Sequence, residues 1–314
     1  MIGVDVGKAS LSYSQLDPRS QQLLAYGTVA NDPTGIAQLL AQVPSEEPWV
    51  LEATGRYGDA LVAAAQAAGR TVLHAPPRQA QAFLRAVQPR AKTDRLDSLG
   101  LARYALAVPL RPYPRKSPLV EELSQLLAAR RGLSQALMRL RQQRRCLPLA
   151  ESSLARAIAA VRAEQRALDG QLAAVVADSV LAADVARLQT VPGIGALTAT
   201  ALAVCLHSKQ FAHPDQFVAY IGLDVRVHES GQRRGRAQLS HHGDAELRRL
   251  LYSCALASVR AKPNPFGAQY ARERAKGLPS TAAACAVARK LARTCWSLVT
   301  HQSTYDAVRV GRQG

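Results

Sequence analysis

The sequence predicts a mixed chain, with an α/β segment over residues 1–108 and a remainder that is all α. Three observations carry this. Short runs with a period of two alternate with amphipathic stretches up to residue 108. VPLRPYPRKSP (108–118), with four prolines, then breaks the pattern. From 119 onward apolar residues recur at intervals of three and four. The 314 residues suit two domains, or one with a long insertion, and 48% hydrophobic content is ample for a core. The expected division is 1–108, then a linker and helical coiled coil over 109–188, then 189–314.

The opening MIGVDVGKASLSYSQLDP reads as two strands. Ile2, Val4 and Val6 alternate with Gly3, Asp5 and Gly7, and Leu11, Tyr13 and Gln15 begin the second strand. LLAYGTVAN is a third. DPTGIAQLLAQV is a helix capped by Asp32 with Pro33 in its first turn. PWVLEATG is a buried strand, YGDALVAAAQAAG a helix ended by Gly69, and TVLHAPP a strand broken by Pro76 and Pro77. QAQAFLRAV and TDRLDSLGLARYAL are helices. Three strands followed by helix, strand, helix, strand, helix is the order of a ribonuclease H-like fold. Residues 119–188 read as an antiparallel helical hairpin, broken at Pro148 and made irregular at Gly170, which spaces domains or dimerises. From 189 a second, mostly helical unit begins.

No run approaches the length of a membrane span, and the first strand lacks the shape of a signal peptide. A soluble, cytoplasmic protein with no membrane partner is expected. Only four residues precede Asp5, so the first strand is expected to stand without an N-terminal extension. The five cysteines show no CxxC spacing and read as reduced thiols, not a zinc site. Charge is uneven: residues 1–110 hold 10 basic and 9 acidic side chains, residues 111–314 hold 30 and 14. Of the 40 basic residues 33 are Arg, the side chain suited to bidentate phosphate contacts. A polyanionic partner, nucleic acid, is the expectation.

Asp5 on its strand admits three roles: a solvated edge residue, a phosphate-loop aspartate or a metal ligand. The other acids favour the last. Glu52 ends a hydrophobic strand just before Ala53-Thr54-Gly55, and Asp94 and Asp97 stand three apart on one helix face. In a ribonuclease H-like sheet these elements converge, and four carboxylates there repel one another unless cations neutralise them. An oxygen-only set of that charge selects Mg²⁺ or Mn²⁺, and two such ions suit phosphodiester chemistry.

Two further segments stand out. LQTVPGIGALTATALAV has the look of a helix, a glycine hairpin and a second helix. The backbone N–H groups at Gly193 and Gly195 either receive a nucleic-acid phosphate or belong to an ordinary turn. Asp224 to His242 reads as a flexible basic loop with Arg226, Arg233, Arg234 and Arg236, followed by an amphipathic helix with Arg248. It carries Ser230 beside Gly231, a hydroxyl among guanidiniums that needs an activator to serve as a nucleophile. His228 and Glu229 are near in sequence, and neither is singled out.

GVDVGK, LEATGRYG, KTDRLDSLGLARYA, VPGIG, FVAYIGL and HESGQRRGRAQLSHHGDAELRRLL follow the order of the DEDD insertion-sequence transposases, and the chain resembles that family over nearly its whole length. The family is also called Piv-like, or insertion-sequence family one-ten. The resemblance implies a RuvC-like domain, a helical coiled-coil insertion and a C-terminal transposase domain. It implies Asp5, Glu52, Asp94 and Asp97 as metal ligands and Ser230 as a nucleophile that forms a phosphoserine link to DNA. It also implies a structured non-coding RNA, the bridge RNA, that pairs with donor and target DNA, and hence a nucleoid-associated protein. The protein would then read backbone and shape, which suits an arginine excess. The chain departs from expectation after Ser240, where His241 and His242 replace a basic residue. Those histidines either contact phosphate or make binding pH-sensitive.

About 130 residues separate Asp97 from Ser230, so assembly across subunits of a dimer or tetramer is expected, with the helical segment 119–188 as oligomer or RNA contact. The rivals are a RuvC-type nuclease using water, an idle nucleic-acid-binding scaffold, and a sugar-kinase or actin-like ATPase. No second phosphate loop supports the last.

Overall fold

The computed structural model describes all residues except 44–45, 53–55, 88–92, 227–228, 231–232, 235–237, 241, 262–263 and 313–314, and only the backbone of Glu229, Ser230, Arg233, Arg234 and Arg312. The chain forms two compact units, Met1–Arg115 and Lys116–Gly314.

In the first unit β1 (Ile2–Val6), β2 (Ser10–Leu16) and β3 (Leu23–Ala30) form an antiparallel meander. Helix α1 (Pro33–Gln42) starts at Asp32, whose carboxylate accepts the Gly35 N–H at 2.7 Å. Strand β4 (Trp49–Glu52) pairs parallel with β1, α2 (Asp59–Ala67) crosses over, and β5 (Val72–Ala75) pairs parallel with β4. Helices α3 (Pro77–Val87) and α4 (Asp94–Ala107) follow. The sheet order among the described residues is β3-β2-β1-β4-β5-β6, and its first five strands have the ribonuclease H-like order expected. Two details differ from expectation. Pro77 begins α3, where its missing N–H costs nothing. The proline-rich segment contributes β6 (Arg111–Pro112), antiparallel to β5 at the sheet edge.

Alternation along β1 and β4 feeds two cores. Ile2, Val4, Trp49 and Leu51 pack with Leu39 of α1 and Leu61 of α2. On the other side Val50 joins Met1, Leu16 and Leu101, Ala102 and Tyr104 of α4. Each fully buried leucine contributes about 1.5–3 kcal/mol.

The second unit begins with α5 (Pro118–Cys146) and α6 (Glu151–Ala177), joined by a 3-10 turn at Pro148–Ala150. Arg130 spans the hairpin to Asp169, Nε to Oδ1 at 3.0 Å and Nη2 to Oδ2 at 3.3 Å. Gly170 does not interrupt α6; a β-carbon there would meet nothing within 4 Å. The base of the hairpin, at Leu123 and Leu172, belongs to one core with the helices α7 (Ala182–Gln189), α8 (Ala196–Ser208), α9 (Pro214–Ile221), α10 (Ala245–Arg260), α11 (Pro265–Ala275), α12 (Ser280–Thr300) and α13 (Ala307–Arg312). Among the described residues no helix is long and apolar enough to cross a membrane.

Between α9 and α10 the expected loop is instead a pair of nested ladders. β7 (Val225–Arg226) pairs with β10 (Gln238–Leu239), and inside it β8 (Glu229–Ser230) pairs with β9 (Arg233–Arg234). Strands of two residues carry no readable period.

Candidate active site

In the first unit the parallel register of β1 and β4 runs Gly3 to Val50 and Val4 to Leu51. Asp5 and Glu52 each stand one step further along, at the C-terminal ends of neighbouring strands. Side chains two apart on a strand share a face, so Asp5 lies on the face of Gly3 and Glu52 on that of Val50. That is the face α4 covers. A β-carbon on Gly3 would lie 2.6 Å from the Ala102 backbone nitrogen, so α4 rests on bare backbone there. Ser98 Oγ meets Ser14 Oγ at 2.8 Å in the same row. The later turns of α4, at Leu101 and Ala102, join the cluster of Met1 and Leu16 at the start of β1. Its first turn therefore points toward the end of β1 where Asp5 stands. Thr93 caps that turn, its Oγ1 accepting the Leu96 N–H at 3.3 Å, and the turn carries Asp94 and Asp97. Asp94 is exposed; Asp5, Glu52 and Asp97 are half-buried. Glu52 Oε1 accepts from Gln81 Nε2 at 3.2 Å.

The fold thus brings the ends of β1 and β4, with Asp5 and Glu52, and the first turn of α4, with Asp94 and Asp97, toward one end of the sheet. Among the described residues no three of them close into a set that could hold a metal ion. As a donor set they are all oxygen, which fits a hard divalent cation and no softer one.

The second unit carries the remaining expected residues. Ser230 pairs with Arg233 and Glu229 with Arg234 in the inner ladder; Arg226 is exposed and pairs with Gln238. Arg236 and His241, like His228, lie outside the described residues; His242 is exposed. The base of this ribbon is fastened by several groups, of which sequence reasoning singled out only His242 and Arg248. The Ser240 N–H donates to Asp224 O at 2.9 Å, and the Ser240 hydroxyl donates to the Asp224 carboxylate. The His242 N–H donates to Ser240 Oγ at 3.2 Å. Arg289 Nε donates to Leu223 O at 3.1 Å, and burial lowers its pKa. Arg248 Nη1 donates to Ile221 O at 2.8 Å, which commits part of its guanidinium to the α9 C-terminus. Gly243 is fixed by close approach, a β-carbon there falling 2.1 Å from Tyr220 O. At the foot of α10, Glu246 is held below the usual carboxylate range by its hydrogen bond to Arg249, with Arg131 of α5 adding to it.

The glycine turn is locked onto α10. Gly193 has φ +88°, and a β-carbon there would stand 2.4 Å from Ser258 Oγ. Gly195 caps α8, its amide directed to the Cys254 thiol, while the space beside its own Cα is open.

Two family models match. One, the DEDD type described as Transposase, covers residues 2–149; the other, described as Transposase IS116/IS110/IS902 family, covers residues 185–271. The chain belongs to the IS110 family of transposases. The transposase for insertion sequence element IS1328 of Yersinia enterocolitica is 37% identical over 123 residues, 38% of this chain and 37% of that protein. The chain thus spans little more than a third of the length of the first curated relatives it matches. The pilin gene-inverting protein of Moraxella lacunata is 24% identical over 315 residues, 97% of each chain. Among solved structures, T. thermophilus RuvC in complex with a Holliday junction substrate aligns at 18% identity over 36% of this chain and 99% of that one, with a TM-score of 0.28. The IS110 model ends at 149, just before α6, and the second resumes at 185 within α7, so the α6 arm lies between the two matched segments.

Proposed function

We propose that this IS110-family chain is a DNA transposase, a site-specific recombinase that cuts and exchanges strands through a phosphoserine intermediate. The observation that carries the reading is the placing of Asp5 and Glu52 one step beyond the register at the ends of adjacent parallel strands, on the face that α4 covers, in a chain matched by transposase models on both sides of α6. Residues 1–108 serve as the acidic catalytic domain, 109–188 as linker and coiled coil, and 189–314 as the transposase domain with the nucleophile.

Asp5, Glu52, Asp94 and Asp97 hold divalent metal, Mg²⁺ or Mn²⁺. When bound it neutralises the scissile phosphate and stabilises charge gained in the transition state. Ser230 attacks phosphorus: the Oγ–P bond forms, one P–O ester bond of the strand breaks, and the serine proton ends on the departing oxygen. The hydroxyl of a second strand then attacks the same phosphorus and restores the serine. Arg226, Arg233, Arg234 and Arg236 on and around the ribbon hold the backbone on either side, with Arg248, His241, His242 and the Gly193–Gly195 turn as further contacts. Donor and target DNA are the substrates. A structured bridge RNA selects them by base pairing, and a dimer or tetramer brings the acids of one copy and the serine of another together.

The test is covalent trapping with purified protein, RNA from the element ends, Mg²⁺ and labelled donor and target DNA. The parent chain is compared with Ser230→Ala and Asp5→Ala. A protein–DNA adduct that needs both residues is expected. Cleavage by Ser230→Ala with no adduct in any lane would overturn the phosphoserine route in favour of a RuvC-type nuclease with water as nucleophile.

A further inference from the structure

Three buried polar atoms in the second unit have no hydrogen-bond partner among the described residues: Gln269 Oε1 on α11, Lys290 Nζ on α12 and the hydroxyl of Tyr305, which leads into α13. Their elements pack together, α11 against both α12 and α13, and Phe266 of α11 stacks on Tyr305 with ring centroids 6.2 Å apart. Lys290 is 8% exposed. Burial lowers its pKa, and the charged group that acts on it, Arg272, is a second cation that lowers it further. Arg272 lies three residues after Gln269 on α11 and is exposed.

A shielded ammonium without a partner is costly, and a neighbouring guanidinium adds to the cost. A methionine or leucine would fill the same space without either burden. The lysine makes physical sense once a negative group completes it. The amide of Gln269 can present Nε2 in place of Oε1 by a half-turn. These packed elements then offer an ammonium, a guanidinium, an amide N–H and a phenol that can donate, with the Asp306 carboxylate acting on that phenol. A set of donors with two positive charges repels a metal cation and complements a phosphate, whose oxygens accept only.

We propose that Lys290, Arg272, Gln269 and Tyr305 form a binding site for a nucleic-acid phosphodiester that uses none of the acidic or ribbon residues named above. It rests on the reading of the chain as a nucleic-acid-handling protein. The exposed Arg272 meets the phosphate first, and Lys290 behind it supplies the second charge.

The experiment measures binding of the full chain to a mixed-sequence DNA duplex and to an RNA stem-loop by fluorescence anisotropy across a salt series. Lys290→Met and Arg272→Gln are each expected to reduce the slope of log Kd against log salt, by about 0.9 on duplex DNA and in the same direction on the RNA stem-loop. Loss on only one of the two ligands supports the site and identifies the nucleic acid it serves. The melting temperature of Lys290→Met is expected to match or exceed the parent's; if it falls, Arg272→Gln, an exposed position, gives the reading. Unchanged slopes on both ligands, with the parent binding them, overturn this site and leave the transposase reading intact. Failure of the parent to bind either ligand overturns both.

Discussion

Gly3 and Ser98 are pressed so close that a β-carbon on Gly3 would lie 2.0 Å from the Ser98 carbonyl oxygen. The contact sets the height of α4 above β1, and with it the height of the first turn, which carries Asp94 and Asp97. Gly3→Ala must therefore lift the helix. Overpacking of this kind costs about 1–3 kcal/mol, read by urea unfolding, and strand exchange should fall well beyond the loss of folded protein. A variant as stable and active as the parent would show that α4 is not seated on the strand.

The Ser240 hydroxyl is the latch of the ribbon. Ser240→Ala leaves the Asp224 carboxylate without its donor at a position where Ser240 is buried, at a cost of about 1–3 kcal/mol. Adduct formation at Ser230 is expected to drop while binding to duplex DNA holds. Equal loss of both would assign Ser240 to DNA contact.

Thiol reactivity follows burial. Cys146 is exposed, whereas Cys205, Cys254 and Cys295 are buried, and burial pushes the Cys205 thiol up to about 12. In native protein a disulfide-exchange reagent should label Cys146 quickly and Cys285 slowly, with the other three reached only on unfolding. Rapid labelling of Cys205 would mean that the α8 core opens easily.

Stability should rise with alkaline pH through Lys290. Burial, then Arg272, sets its folded pKa below the ordinary 10.5. The folded state sheds that proton before the unfolded state does, so folding gains as pH climbs through the window just below 10.5. The buried thiols and phenols, whose pKa values burial raises, cost parent and variant alike at alkaline pH, so denaturant unfolding at neutral and at alkaline pH should show the parent gaining relative to Lys290→Met. Parallel curves would remove Lys290 as the cause.

Much of the fold could be read from the residues because local and tertiary signals agreed there. Asp32 and Pro33 start α1 as expected, and Pro148 divides the hairpin. Gly170 misled because an exposed helical glycine costs only about 1 kcal/mol, which the packing of α6 on α5 absorbs. The ribbon at 225–239 had no readable period, since its pairing is fixed by Asp224, Ser240 and the two arginines behind them. The acids could be proposed as a set because the order of strands and helices puts Asp5 and Glu52 at adjacent strand ends on the face that α4 covers; Gln81 beside Glu52 was not legible, because it comes from a helix the motif does not include.

The two borders of the sheet are unequal. At β6 the run is two residues long, and Pro112 brings no N–H to it. At β3, eight residues long, seven residues pair with β2, its one neighbour among the described strands, and Leu24 and Tyr26 are exposed along that rim. Overproduced chains that stick by strand addition should therefore grow from one side only, and a lysine or proline set into β3 would raise the concentration at which the protein stays clear.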